Sequence, residues 1–271
     1  MTNLKSYLLP SLLLITISVT SCGENKHPLE KDLGVQVSSS SVVNGKNVSP
    51  KNKIGRSIVG LVLEKEEGQA LCTGSIIGRN TILTAAHCVD GVGHNNMQKM
   101  QIVFGIDIHK TKEDFIRVAN RIIIHPYWNQ HLNIGEADLA VIHFAGELPA
   151  GFLPVQLADE KLILRNGQKI VMAGFGVTDG DIKEGAGRLR QTSTEIIDRL
   201  SATELVSDGQ NSSVCFGDSG GPAFIKIGNE LVQWGIASSV ANQACNQSSV
   251  HTEIMKYLNW IDTSRAKLQV R

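Results

Sequence analysis

Short runs of β-branched and apolar residues recur along this chain between glycine-containing and polar turns. Runs of this length and spacing are typical of antiparallel all-β domains. They are Ser75–Ile77, Thr81–Thr84, Gln101–Phe104, Leu139–Phe144, Lys169–Ala173 and Leu231–Ile236. The 230 residues from Val42 to Arg271 are enough to bury the cores of two small β-barrels. We therefore expect an all-β fold over this part of the chain.

A different periodicity appears near the C-terminus. Ile254, Tyr257, Leu258 and Ile261 are spaced i, i+3, i+4 and i+7. This spacing places apolar side chains on one face of a helix. The sequence therefore predicts one amphipathic helix after the last strand.

The charge balance excludes one class of function. The chain has 26 basic and 26 acidic residues and no formal net charge, whereas nucleic-acid binding needs a basic face. The stretch Gly174-Phe175-Gly176 does not complete a dinucleotide-binding glycine motif. We expect no nucleic-acid partner, no cofactor and no metal.

The eight-residue stretch Cys215–Pro222 carries the clearest chemical signal. It places Ser219 among Gly217, Gly220 and Gly221. A serine hydroxyl becomes an effective nucleophile only with a base to take its proton and donors to hold the oxyanion. Glycine permits the tight backbone turns and close substrate approach that such a site requires. The alternative interpretation is a glycine-rich surface turn.

Two further stretches can supply the base and its orienting group. His87 lies in Thr84-Ala85-Ala86-His87-Cys88, and Asp138 begins an apolar run that ends at Ile142. A catalytic imidazole needs a carboxylate on its other nitrogen to fix its tautomer and orientation. A carboxylate at the edge of a buried strand must in turn be hydrogen-bonded.

Together, Thr84–Cys88, Asp138–Val141 and Gly217–Pro222 resemble the chymotrypsin–trypsin family of serine endopeptidases, in the order His, Asp, Ser. The resemblance runs from about Val42 to near the C-terminus. It implies two six-stranded antiparallel β-barrels followed by a C-terminal α-helix. It also implies a serine endopeptidase that acts on protein or peptide substrates through an acyl-enzyme.

The resemblance assigns the roles as well. Ser219 is the expected nucleophile, His87 the general base and then acid, and Asp138 the orienting carboxylate. The N–H groups of Gly217 and Ser219 are the expected oxyanion hole.

Four of the five cysteines are predicted to form two disulfides. Their spacing favours Cys72 with Cys88 and Cys215 with Cys245, and the family resemblance implies the same pairs. The alternative is buried free thiols. Each bridge would anchor a catalytic loop, and structural disulfides imply an oxidising compartment and therefore export.

The N-terminus explains the fifth cysteine. Lys5 is the only charge before Cys22, and the apolar run Leu8–Val19 is shorter than the roughly 20 residues that span a bilayer. Residues 1–21 are therefore a predicted signal peptide. The stretch Val19–Cys22 resembles a bacterial lipoprotein cleavage box, in which Cys22 would be lipidated. The alternative is ordinary leader cleavage that leaves an unpaired thiol.

This interpretation predicts an exported bacterial lipoprotein. It would lie at the cell envelope, or be released to the periplasm or the extracellular space after activation. Its only membrane contact would be the lipid on Cys22.

Residues 22–41 are polar and end in four serines, which is typical of a flexible tether or propeptide. The stretch Val42-Val43-Asn44-Gly45 resembles the activated N-terminus of the family and would begin the protease domain, 42–271. A cut at Ser41–Val42 would free an amine that pairs with Asp218. Because Ser41 is neither Arg nor Lys, the activating protease is expected not to be trypsin-like. The alternative is that Val42-Val43 is simply a first strand.

The resemblance also locates a specificity pocket at Ser213, Gly235 and Ser249. Ser213, at the expected floor, carries no carboxylate to pair with a basic substrate side chain. The expected preference is therefore apolar, from medium-sized to aromatic side chains.

Two rival functions follow from the same motifs. Gln233 stands where the family usually has a serine that hydrogen-bonds near the catalytic carboxylate. This departure raises the alternative of a catalytically weak or inactive protease-like binding module. An α/β-hydrolase esterase would need the order Ser, acid, His, and only His251 follows Ser219.

Overall fold

A computed structural model describes residues 45–65, 68–93, 96–128 and 136–269. The predicted signal peptide (1–21), the predicted tether (22–41) with Cys22, and Val42 lie outside the described residues. Within the described ranges, no helix combines the length and the apolar character needed to cross a bilayer.

The described residues form fourteen strands and one α-helix. The first seven strands are β1 (Lys46–Asn47), β2 (Ile58–Lys65), β3 (Gly68–Gly78), β4 (Thr81–Thr84), β5 (Met100–Val103), β6 (Ile116–Ile124) and β7 (Ala140–Phe144). The others are β8 (Gln156–Leu157), β9 (Lys169–Gly174), β10 (Arg190–Arg199), β11 (Glu204–Ser207), β12 (Pro222–Ile227), β13 (Glu230–Val240) and β14 (Ser249–Glu253). The helix is α1 (Leu258–Gln269).

Six strands of the first half close into a barrel in the order β2-β3-β4-β7-β6-β5. Every neighbouring pair in this ring is antiparallel. Closure removes the exposed edges that an open sheet would present. This arrangement is the first barrel.

The second half closes in the same way. Strand β9 pairs with both β10 and β12, and the ring β9-β10-β11-β14-β13-β12 is antiparallel throughout. Two short strands lie outside the ring: β1 extends it next to β10, and β8 pairs in parallel with β13. The predicted fold of two six-stranded antiparallel barrels with a C-terminal helix is therefore confirmed.

Strand β2 shows how the two barrels share a core. Residues Ile58–Leu63 are buried on both faces of the strand. Leu61 points into the first barrel and packs in the same cluster as Ile76. Ile58, on the opposite face, packs in a cluster with Phe175 and Phe224 of the second barrel. The continuous apolar run of β2 thus arises from burial on both sides.

The predicted strands agree with the structure where the apolar run is short and bounded by turns. Thr81–Thr84 coincides with β4, and Leu139–Phe144 differs from β7 by one residue. The predicted helix begins later than its periodicity indicated, because Ile254–Tyr257 forms a 3-10 turn before α1.

Candidate active site

His87 and Asp138 lie at adjacent strand ends of the first barrel. His87 is in the 3-10 turn just after β4, and Asp138 lies just before β7. The register pairs Thr84 of β4 with Ala140 of β7, so the antiparallel geometry brings the end of one strand beside the start of the other. His87 Nδ1 is 2.8 Å from Asp138 Oδ2, and the His87 backbone N–H donates to Asp138 Oδ1 at 3.0 Å.

The Asp138 carboxylate has a third donor, which sequence reasoning missed. Ser238 Oγ donates to Asp138 Oδ2 at 2.6 Å. Asp138 is only 1% exposed, and a buried carboxylate must be hydrogen-bonded. Three donors from two barrels meet this requirement and hold the carboxylate in one orientation.

Ser238 reaches Asp138 because of an irregularity in β13. The register between β13 and β14 shifts between Ala237 and Ser239. A bulge of this kind re-aims a side chain, and bulges recur next to active sites. The signal is absent from the sequence pattern, because nothing in Ala237-Ser238-Ser239 marks the position of the bulge.

Two opposing effects, burial and the Asp138 carboxylate, act on the pKa of His87. Burial alone would lower it, but the hydrogen bond and the charge of Asp138 raise the pKa above its ordinary value of 6.5. The side chain is still one-third exposed. His87 is therefore accessible from the cleft and has its positive form stabilised by the carboxylate.

A strained turn aims Asp138. Ala137 has φ of +59°, which is unusual for a residue other than glycine. Its N–H donates to the Tyr257 hydroxyl oxygen at 3.1 Å, and its carbonyl accepts from Leu139 N–H at 2.7 Å. Tyr257 lies just before α1. The C-terminal segment thus stabilises the backbone next to the carboxylate, a role that its helical periodicity did not reveal.

The loop Gly217–Gly221 presents two free amides on either side of Asp218. The N–H groups of Asp218, Gly220 and Gly221 donate to backbone carbonyls at 2.8–2.9 Å. The N–H groups of Gly217 and Ser219 donate to no other described residue. The two amides expected to form an oxyanion hole are therefore the two that the loop leaves available.

Contacts with both barrels hold this loop. Thr73 of β3 donates its N–H to the Ser219 carbonyl and its hydroxyl to the Gly217 carbonyl, both at 2.8 Å. Gly220 has φ of +79°, and a Cβ there would overlap the Thr84 hydroxyl. Glycine is therefore required at 220 by conformation and by space.

Asp218 lies fully buried beneath the loop. Its carboxylate accepts from Gly176 N–H at 2.7 Å and from Cys215 N–H at 2.8 Å. A side chain at Gly174 or Gly176 would overlap this carboxylate. Burial raises the pKa of Asp218 to about 7, although these hydrogen bonds and the charge of Arg190 act in the opposite direction. Val42, its expected partner, lies outside the described residues.

Both predicted disulfides are confirmed. Cys72 of β3 is joined to Cys88 in the His87 turn, and Cys215 is joined to Cys245. The two sulfurs of the first bridge lie near His87 in a grouping that resembles a metal site. They are bonded to each other, however, and metals bind the thiolate form.

His87, Gly217 and Ser219 line one cleft of about 580 Å³. Its other walls include Leu71, Val214, Phe216, Ser239 and Val240. Trp128 lies beside the base, with its ring centroid 6.4 Å from that of His87, and it donates to Asp90 Oδ2. The structure thus places His87, Ser219 and the Gly217 backbone on one cleft and joins Asp138 to His87 by hydrogen bonds.

The specificity residues require a correction. Gly235 does not line this cleft, because it is buried in β13 opposite Ala223 and Glu253. Gln233 is also buried there, with its side-chain amide donating to the Gly235 carbonyl at 3.2 Å. The expected position was five residues too early: β13 is long, and only its second half passes Asp138.

Ser213 and Ser249, also predicted to belong to the pocket, lie together, but like Gly235 they are not among the residues that line the cleft. Both are fully buried, and their hydroxyl oxygens are 2.7 Å apart. Ser249 is the strand partner of Val240, and Val240 lines the cleft. Val240 therefore takes the place that the sequence analysis gave to Gly235.

Comparison with known proteins agrees with this geometry. The family profile described as "Trypsin" matches residues 42–261. A chymotrypsin of Phaedon cochleariae is 30% identical over 241 residues, which cover 83% of this chain and 82% of that protein. Chymotrypsin-like elastase family member 1 of Macaca fascicularis is 27% identical over 223 residues, or 72% and 79% of the two chains. The human protein of the same name is 27% identical over 215 residues, or 70% and 80%.

Proposed function

The chain belongs to the trypsin family of serine endopeptidases, and on that premise we propose that it cleaves peptide bonds through an acyl-enzyme on Ser219. The observation that carries this proposal is the shared Asp138 carboxylate. It binds His87 Nδ1, and His87 lines the same cleft as Ser219.

In the first half-reaction, Ser219 Oγ attacks the carbonyl carbon of the substrate and passes its proton to His87 Nε2. The negative oxygen of the tetrahedral intermediate accepts hydrogen bonds from the N–H groups of Gly217 and Ser219. When the peptide bond breaks, His87 gives the proton to the departing amine. Asp138 stabilises the imidazolium between these two transfers and remains ionised.

In the second half-reaction, water replaces the amine. His87 takes a proton from the water as it attacks the ester carbonyl of the acyl-enzyme. The same two amides stabilise the second oxyanion. Collapse releases the new carboxyl group, and the proton returns from His87 to Ser219 Oγ.

We further propose a preference for apolar side chains, and in place of the medium-sized to aromatic range expected from the sequence we propose small to medium-sized ones. Ser213 and Ser249 are fully buried beside the cleft residues Val214 and Val240 and carry hydroxyls, not carboxylates, so a basic substrate side chain would lack an ion pair there. Val240 is partly buried against the Cys215–Cys245 bridge, and its side chain narrows the cleft. The elastase names of two relatives are consistent with this preference.

A peptide-library digest tests the preference. Cleavage after Ala, Val or Leu is expected to dominate, and Val240→Gly is expected to shift cleavage toward Phe and Tyr by widening the wall. Gly235→Ala is the matched control, because Gly235 lies outside the cleft. Dominant cleavage after Arg or Lys would contradict the proposal.

We propose activation by a cut at Ser41–Val42, made by a protease that is not trypsin-like. The support is the state of Asp218: both of its described hydrogen-bond donors are uncharged backbone amides, and burial raises its pKa to about 7. An ammonium group from Val42 would stabilise the ionised form. N-terminal sequencing of active enzyme is expected to begin at Val42, and an attached tether would contradict this.

We also propose that the signal peptide is removed and that Cys22 is lipidated, so that the cut at Val42 releases the protease from the envelope. The two disulfides support export, whereas the lipid rests on the Val19–Cys22 motif alone. Mass spectrometry of the unactivated form is expected to show a fatty-acylated Cys22, and Cys22→Ser is expected to abolish it. An unactivated form that begins at Cys22 and carries no fatty acid would contradict the lipidation.

Active-site labelling tests the central proposal. A fluorophosphonate is expected to label the mature protein, Ser219→Ala to abolish labelling, and Ser193→Ala, at an exposed serine, to leave it unchanged. A correctly processed protein that resists labelling would favour the binding-module alternative. The main argument for that alternative was Gln233, and the structure shows Ser238 at the carboxylate instead.

A further inference from the structure

A second groove, of about 640 Å³, lies apart from the catalytic cleft and shares no lining residue with it. The segment that follows β5 forms one side, the turn at 150–152 forms another, and Arg188 closes the groove from the second barrel. We call it the basic groove.

The floor of the basic groove is aromatic. The ring centroids of Phe104 and Phe152 are 5.2 Å apart in an edge-on arrangement, and Phe115 lies 6.3 Å from Phe152. Phe104 is fully buried, whereas Phe115 and Phe152 are partly exposed. Packed aromatic rings of this kind offer a preformed apolar surface.

The rim of the basic groove is positively charged. Arg56, Lys110, Lys112 and Arg188 line it, against one carboxylate, Asp107. The protein as a whole has no formal net charge, so the excess of three positive charges is a local feature. Positive potential concentrated over low-dielectric walls attracts anionic ligands.

Several of these cations have donors to spare. Asp107 accepts from Arg188 at 3.2 Å and lies 3.5 Å from the Lys110 ammonium. Arg56 binds the Gly151 carbonyl through Nε at 2.6 Å, so its two terminal nitrogens are not used in that bond. Lys112 has no ion-pair partner within the part of the chain that the structure describes.

Backbone hydrogen bonds hold the two sides of the groove in fixed positions. Ile108 N–H donates to the Gly187 carbonyl and Leu189 N–H to the Ile106 carbonyl, both at 2.8 Å. These bonds join the two barrels directly beneath Asp107 and Arg188. A rigid rim reduces the ordering cost of binding.

We propose that the basic groove binds an acidic peptide segment of a protein partner, with a Phe or Leu side chain on the aromatic floor and flanking carboxylates on the rim. The three-ring floor favours a peptide over a nucleic acid, which needs a continuous basic face. This site goes beyond the proposed function, because no catalytic residue contributes to it. It would recruit substrates or inhibitors by a segment remote from the bond that is cut.

The test is fluorescence anisotropy with the labelled peptide Asp-Glu-Phe-Glu-Glu-Leu, using mature protein with Ser219→Ala so that the probe stays intact. Saturable binding that weakens with added salt is expected. Lys110→Glu with Lys112→Glu is expected to weaken it by about tenfold or more. Lys226→Glu with Lys267→Glu, an equal charge change at exposed sites away from the groove, should leave binding within about twofold.

A second probe with Ala in place of Phe separates the floor from the rim, and about tenfold weaker binding is expected. The proposal is overturned if the two charge-reversal pairs behave alike, or if an oligothymidylate binds the groove more tightly than the peptide. Fluorophosphonate labelling of the Lys110→Glu, Lys112→Glu protein with Ser219 intact checks its fold. Because anisotropy needs no turnover, failure of binding and failure of catalysis are distinguishable.

Discussion

His87 and Asp138 lie on neighbouring strand ends of the first barrel, whereas Ser219 lies on a loop above a buried acid of the second. The first pair is held by strand register and by three donors on one carboxylate. The Ser219 loop is held by Thr73 and by Asp218, whose raised pKa shows that its ionised form lacks full compensation.

Under the proposed activation, this difference would make the Ser219 loop the half of the site that is switched. Two of the three donors to the Asp138 carboxylate come from His87 in the first barrel, and the third comes from Ser238 in the second. Under the proposed activation, the nucleophile loop in contrast depends on the ionisation of one buried group, Asp218. Activation by a new cation would therefore act on the loop and leave the His87–Asp138 pair unchanged.

The largest expected fall in kcat comes from disrupting the His87–Asp138 pair. Asp138→Asn keeps the side-chain shape but removes the charge that orients His87, and kcat is expected to fall by about 10⁴. Steady-state kinetics on a peptide substrate measures this. Asp198→Asn, at an exposed acid, should retain activity. A loss of less than about tenfold would contradict the role of Asp138.

Disrupting the Ser219 loop is expected to lower kcat by less than disrupting the His87–Asp138 pair. Asp218→Asn removes the charge expected to pair with Val42, so the Gly217 and Ser219 amides lose alignment and kcat is expected to fall by about 10²–10³. The downfield NMR signal of the His87 Nδ1 proton should persist, because the first half is intact. Loss of that signal would show that the two halves are not independent.

A smaller effect is expected at Tyr257. Tyr257→Phe removes the hydroxyl that accepts from the strained Ala137 backbone, which should loosen Asp138. One hydrogen bond contributes about 1 kcal/mol, so a fall in kcat of about fivefold with little change in KM is expected. Tyr127→Phe, at an exposed tyrosine, is the control. A change in KM alone would exclude a positioning role.

Stability against pH should separate the uncut from the cut protein. When the pKa of a carboxyl group is higher in the folded than in the unfolded protein, the group favours folding at pH values below its unfolded pKa. That contribution to stability is lost as pH rises towards the folded pKa. For Asp218 this pH window runs from its ordinary pKa of 3.8 to its folded pKa of about 7. The uncut protein is expected to lose stability across this window, and the cut protein to lose less. Thermal unfolding of both forms checks this, and parallel curves would argue against the Val42–Asp218 pair.

The mildest effect concerns His87 itself. Its pKa is raised above 6.5, and only neutral imidazole accepts the Ser219 proton. The kcat/KM of the cut enzyme should therefore fall as pH drops through a midpoint above 6.5. In folding, the same shift stabilises the protein below the unfolded pKa and is lost as pH rises through the folded one. A midpoint at or below 6.5 would contradict the coupling to Asp138.

The motifs of the site could be recognised from the sequence because consecutive residues carry their chemistry. Glycines beside Ser219, the His87 turn next to Cys88, and the short strand Thr81–Thr84 each follow from local rules on turns, pairing and periodicity. The disulfide pairs followed from spacing together with the family resemblance. Motif matching also led to the wrong position for the pocket wall. The pair Trp234-Gly235 matched the family motif, but the match took no account of the strand register that places Val240 there.

The amino-acid sequence by itself predicted the fold class and the two disulfides, and it singled out His87, Asp138 and Ser219 as the candidate catalytic residues. Tertiary structure alone decided that Ser238 reaches Asp138, that Val240 forms the wall, and that Tyr257 stabilises Ala137. These contacts depend on a bulge in β13 and on packing between distant segments, 100 residues apart for Asp138 and Ser238 and 120 for Ala137 and Tyr257. Register and packing of this kind are set by the closure of both barrels, and a local pattern does not encode them.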